Sequence, residues 1–183
     1  MTGLAAWLPT SLTVAESFFG IDRNTDRTRL AGLYVDGTSK SVEEALIDAG
    51  ALCAREGFMP PLAVMNPAHE AQLDKELQGR VRYGQVSSSD IATISFESIK
   101  LRLGGTTCDV LSDPNCPPGL IYMISPETWR LGSLGGMPTI LRPDGLRVQR
   151  NSTSDSVEVR TGYYGNMYCL RPSENCVVQI DNP

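Results

Sequence analysis

Apolar positions between residues 42 and 53 fall at Val42, Ala45, Leu46, Ala49, Leu52 and Cys53, the repeat of one helical face. Ser41 is placed to cap that helix, and Glu44 three residues later completes a capping box. Gly57 supplies a left-handed stop, so the pattern predicts a helix over about 42–56 that packs by a single face. Met59-Pro60-Pro61 then forces extended backbone. The unbroken apolar run Leu62-Ala63-Val64-Met65 suits a buried central strand. Asn66-Pro67 joins a cap to proline at the first helical position, predicting a second helix from Pro67 to about Leu77, ended by Gly79. His69, Leu73 and Leu77 recur four apart, which puts His69 near the apolar face as a packing residue.

From Ile99 the period changes to two. Ile99, Leu101 and Leu103 point one way and Lys100 and Arg102 the other, the pattern of a half-buried strand. Phe96 is out of phase with Ile99, which predicts a bulge or bend near Glu97-Ser98. Gly104-Gly105 reads as a hairpin turn into a second strand at 108–111. Pro117-Pro118-Gly119 fixes another turn. Leu120–Ile124 is apolar throughout, as a central strand should be, and Ser125-Pro126-Glu127 starts a helical turn ending on Trp129.

Elsewhere the pattern is weaker. Residues 131–147 hold four glycines and two prolines and read as a connector with a short strand at 139–141 and a turn at 143–145. Val157 and Val159 alternate with Glu158 and Arg160; strands at 167–170 and 176–180 follow the interruption Gly162-Tyr163-Tyr164-Gly165. Residues 1–40 lack a sustained period and read as irregular, with one short strand at 12–14. The polar run from Gly20 to Gly32 is either a binding loop or a solvated connector. Residues 80–89, with Arg80, Arg82, Tyr83 and a serine triplet, read as an exposed loop suited to protein contact or to plain solvation. Two arginines are too few to argue for nucleic acid.

Composition narrows this picture without identifying a reaction. The 183 residues are enough for one sizeable core or one core with a small lobe, and 17 Gly with 12 Pro favour turns and short strands. A net charge of -5 argues against a phosphate footprint, and no apolar run approaches a membrane span. The first residues carry no basic stretch before a long apolar run, from which intracellular synthesis is expected. Cys53, Cys108, Cys116, Cys169 and Cys176 are odd in number and lack C-x-x-C spacing, so free, partly buried thiols are expected and zinc is poorly supported. There is no G-x-S-x-G elbow, phosphate-binding glycine loop or H-E-x-x-H, and Asp22, Asp26 and Asp36 do not follow the spacing of a calcium loop. The residues alone leave open a structural protein, a non-catalytic protein-binding module and, more distantly, a hydrolase using Asp22, Asp26 or His69.

Several passages, in order, resemble the major capsid proteins of tailed phages, which share the Hong Kong 97-like fold. Gly3-Leu4 with Trp7 resembles the segment after the family's long spine helix, and residues 20–32 resemble the loop into its axial domain. Residues 41–57, then Leu62-Ala63-Val64-Met65-Asn66-Pro67, resemble the axial domain's first helix, its apolar strand with an Asn-Pro step, and its second helix. Residues 110–129, with Asp113, Cys116-Pro117, Tyr122 and Trp129, are similar to its sheet. Residues 155–180, with Leu170-Arg171-Pro172, resemble closing strands of the peripheral domain.

This resemblance implies an α+β fold: an axial domain whose central mixed sheet is flanked by two helices, plus peripheral-domain strands. It implies a connector over 1–36, the axial domain over 37–145 and the closing strands over 146–183. The family's N-terminal arm, extended loop and spine helix have no counterpart in these residues, so a C-terminal portion or a truncated relative is expected. The implied role is that of a major capsid subunit, structural and not enzymatic, that self-assembles into hexamers and pentamers of a shell around DNA. No cofactor, metal or membrane is implied. Scaffold, portal and maturation protease are implied partners, and packaged DNA is met only non-specifically. The implied location is the virion, assembled in the bacterial host cytoplasm. Within it, Arg80, Arg82 and Tyr83 are expected at a subunit interface toward the capsomer axis.

Overall fold

The structure, a computed structural model, describes residues 3–11, 14, 17–77, 99–103, 105–136, 139–142, 145–150 and 153–181. In chain order come α1 (Leu4–Trp7), α2 (Arg27–Ala31), β1 (Leu33–Asp36), α3 (Val42–Arg55), β2 (Leu62–Met65), α4 (Pro67–Leu77), β3 (Ile99–Leu103), β4 (Thr106–Ser112) and β5 (Leu120–Ile124). A short 3-10 turn (Pro126–Thr128) leads to β6 (Trp129–Ser133), β7 (Thr139–Ile140), β8 (Gln149–Arg150), β9 (Val157–Glu158), β10 (Thr161–Gly162) and β11 (Gly165–Cys169). A second such turn (Pro172–Glu174) precedes β12 (Cys176–Gln179).

The capping box forms as the sequence predicts. Ser41 Oγ accepts from Glu44 N at 3.2 Å, and Glu44 Oε2 accepts from Ser41 N at 3.4 Å. Gly57 takes φ +87 just past the helix end, where a side chain would be strained. Glu76 of α4 reaches the start of α3 and accepts from Val42 N and Glu43 N at 3.3 and 3.0 Å. That carboxylate satisfies amides the helix itself leaves free, and it ties the two helices together.

Six strands form one mixed sheet in the order β1-β12-β5-β2-β4-β3. β1 with β12 and β2 with β4 are parallel; the other neighbours are antiparallel. Successive residues of the central strands alternate between two cores. Ile121 and Met123 of β5, Ala63 and Met65 of β2, and Cys176 and Val178 of β12 meet Leu46, Ala49, Cys53 and Leu73 from the helices. Tyr122, Val64 and Val177 turn the other way, toward Leu8, Trp7, Cys116 and Trp129. Both faces are covered, which is why these strands read as unbroken apolar runs. Each fully buried large side chain here, such as Leu46 or Met123, contributes roughly 1.5–3 kcal/mol.

His69 is fully buried under the turn before β5, and its Nε2 accepts from Gly119 N at 2.9 Å. Burial holds its pKa below the ordinary histidine value. It is the packing residue that its spacing predicts.

Other expectations are corrected. Residues 1–40 are not simply irregular: they contain α1, α2 and β1. Asp26 caps α2 by accepting from Arg29 N, and β1 finds its place by pairing with β12, a contact distant in sequence. The helical turn forms over Pro126–Thr128 and Trp129 caps its end, but Trp129 also opens β6, whose last three residues lie in the stretch read as a connector. The 176–180 strand, expected among the peripheral strands, lies between β1 and β5 in the central sheet, because its alternate residues feed both cores. The bend at Glu97-Ser98, the Gly79 stop and most of the 12–14 strand lie outside the described residues.

Candidate assembly surface

Between β5 and β12 the chain leaves the sheet and returns to it. The pairings on this excursion are nested. β6 pairs with β11 from Trp129↔Cys169 to Ser133↔Gly165, β7 with β10 at Thr139↔Gly162, and β8 with β9 at Gln149↔Glu158. All three are antiparallel, and two further bonds continue the ladder: Leu134 N to Tyr164 O at 2.9 Å and Leu141 N to Arg160 O at 2.8 Å. Three small sheets are thus one interrupted two-stranded ribbon over residues 129–169. Its outgoing limb holds the extra residues, which is why the ladder breaks. Near the root the ring of Tyr168 lies against Gly132, where an added Cβ would come within 3.0 Å of it.

The ribbon is fastened by a polar clamp. Asn175 is fully buried. Its Oδ1 accepts from Ser125 N and Trp129 Nε1, both at 3.0 Å, and its Nδ2 donates to Thr128 Oγ1 and Arg171 O, both at 3.1 Å. Leu170 N donates to Thr128 O at 2.8 Å. One amide therefore locks the outgoing root to the returning one. Trp129 stands out in the sequence; its partner Asn175 does not, since a lone polar residue before a strand carries no periodic signal.

The N-terminal segment braces the same root. Trp7 Nε1 donates to Met167 O at 3.0 Å, and Trp7 packs edge-on against Phe18, with ring centres 4.8 Å apart. Arg23 lies 4.4 Å over the Phe18 ring and donates from Nη1 to Ala6 O and Trp7 O at 2.9 and 3.2 Å. Burial lowers the pKa of its guanidinium. A cleft of about 260 Å³ opens here between Trp7, Phe18, Phe19 and Leu170.

Along its length and just past its return the ribbon exposes apolar side chains. Ten of the thirteen large hydrophobic residues that are exposed among the described ones lie within 131–170. Leu134 is 92% exposed, Tyr164 68%, Leu146 63% and Val157 62%. The Val157/Val159 alternation therefore marks no buried face of this chain. A two-stranded ribbon open on both faces is marginal alone, and a concentration of exposed apolar residues marks a contact surface.

The residues weighed above for catalysis or metal binding serve local structure. Asp22 Oδ1 accepts from Asn24 N at 2.9 Å, Asp26 caps α2, and Asp36 accepts from Thr38 N and Oγ1 at 3.1 and 2.6 Å. All five cysteines are buried and free; burial pushes Cys108 up to about 12 and Cys116 up to about 11, so neither is a ready nucleophile. Among the described residues no group of three or more His, Cys, Asp or Glu is placed to hold a metal ion. Arg80, Arg82 and Tyr83 lie outside the described residues.

No family model matches this sequence, and no curated protein matches it. Among solved structures it is similar to a chain of the cyanophage A-1(L) capsid asymmetric unit, with a TM-score of 0.59 and 15% sequence identity. The likeness covers 97% of this chain and 58% of that one, so this chain spans less than two thirds of the capsid chain's length. At such identity it is the architecture that is shared: a central mixed sheet with a few helices, similar to the fold of a phage capsid chain.

Proposed function

We propose that this chain is a structural subunit of a phage capsid, corresponding to a major part of a shell-forming protein. The observation that carries the reading is the fold likeness over 97% of the chain to a capsid chain. The exposed ribbon agrees with it, because a tile in a shell needs contact surface more than a pocket. In this reading the partners are further copies, arranged as hexamers and pentamers, and the location is the virion. Scaffold, portal and maturation protease are met transiently during assembly in the host cytoplasm. The net charge of -5 keeps contact with packaged DNA weak. Arg80, Arg82 and Tyr83 are assigned to a subunit interface by the family resemblance.

Electron microscopy of the product of the complete reading frame tests this. Closed shells or capsomer-like rings are the expected result. A product that stays monomeric at high concentration would instead favour a protein-binding module.

A further inference from the structure

The charges of this chain are unevenly divided. Residues 129–169 carry five arginines and three acidic residues, a net of +2, while the whole chain carries -5 and the remainder therefore -7. Much of the acidity sits on the helix pair: residues 42–77 hold seven acidic and two basic side chains. Glu44, Asp48 and Asp74 are exposed there, and Ile47, next to Asp48 on α3, is 50% exposed. On the ribbon, Arg147 and Arg150 are exposed and flank Val148, itself 46% exposed. Each surface thus has apolar residues set among charges, of opposite sign on the two.

Neither surface is neutralised by the other within the chain. The ion pairs among the described residues join Arg29 to Asp26, Lys40 to Asp48, Arg55 to Glu56, Lys100 to Asp109, Arg160 to Glu158 and Arg171 to Glu174. None links the ribbon to the helices. α3 covers one face of the sheet beside β1, β12 and β3, whereas the ribbon departs from the end of β5. Two different, complementary patches on one molecule make a heterologous contact, which closes into rings when the rotation allows.

Resting on the capsid reading, we infer that the basic, apolar ribbon of one copy docks on the acidic α3–α4 surface of a second copy of this chain. Complementary potentials would set the register of the contact, and the exposed leucines and valines would supply its burial.

The test is a charge swap in the full chain, read by sedimentation velocity over a concentration series to about 1 mM. Arg147→Glu with Arg150→Glu, and separately Asp48→Lys with Asp74→Lys, should each weaken self-association by at least about tenfold at low salt. Combining all four should restore most of the loss. A second arm mixes an Ile47→Cys variant with a Val148→Cys variant under oxidising conditions. Because the native cysteines are buried, the introduced thiols are the reactive ones, and a disulfide between copies is expected. Normal association of both reversal variants, or no recovery in the combined variant, would overturn the contact. If shells still form in that case, the capsid reading survives it. A wild-type chain that remains monomeric throughout, and whose complete reading frame forms no shells, overturns both. Reversal at Arg147 and Arg150 that abolishes retention on DNA while self-association is unchanged would overturn it in favour of a nucleic-acid contact.

Discussion

The six-stranded sheet and the ribbon are built from the same kind of backbone, yet they satisfy it in opposite ways. Strands β12, β5 and β2 of the sheet have neighbours on both edges and a core on both faces. The ribbon has two strands, two open edges and its large apolar side chains in solvent. The sheet is complete within one chain. The ribbon is complete only at its root, where Asn175, Trp129 and Trp7 tie it down. Stability and exposure are thereby separated: the body holds the buried core, and the ribbon carries most of the exposed apolar surface among the described residues.

The largest expected effect falls in the body. Met123 is fully buried at the middle of the sheet, so Met123→Ala should cost about 2–5 kcal/mol in urea unfolding. A loss below about 1 kcal/mol would mean the sheet is not the stable half. Next comes the junction. Asn175→Ala leaves Ser125 N and Trp129 Nε1 without their acceptor and should cost about 3 kcal/mol. The same variant should speed proteolysis within 129–169 more than elsewhere; uniform acceleration would show that the clamp does not govern the ribbon separately.

A smaller effect depends on pH. Burial holds His69 below its ordinary value of 6.5. The folded state therefore binds fewer protons than the unfolded one as the pH falls below 6.5, and stability declines in that range. His69→Gln keeps an acceptor for Gly119 N and should flatten that part of the pH–stability curve. An unchanged slope would remove His69 from the account. Least of all should stability respond on the ribbon: Leu134→Ser is expected within about 0.5 kcal/mol of wild type by thermal unfolding. The same change should reduce self-association, so a large loss of stability would show Leu134 to be packed within the chain.

These two regions also differ in how legible they are in the sequence. The α3 capping box, the α4 start at Asn66-Pro67 and strands β2, β3 and β5 follow from local rules, since each signals itself by period or cap. The ribbon does not. Its strands pair by backbone while their side chains face solvent, so β6 within Leu131-Gly132-Ser133 shows no alternation and its glycines read as a connector. β1 and β12 are hidden as neighbours because their pairing spans more than 140 residues, from Leu33 to Cys176. The candidate surface is legible only through family resemblance, which points to 80–89, outside the described residues; the ribbon becomes visible once its nested pairings and exposed leucines are placed.

Hydrogen exchange on unassembled and assembled protein tests the separation of body and ribbon most directly. The account predicts slow exchange at β2, β5 and β12 in both states, and slow exchange in the ribbon beyond its β6–β11 root, at β7–β10 and β8–β9, only after assembly. Ribbon amides as slow as those of the sheet in the monomer, or as fast in the assembly as before it, would contradict it.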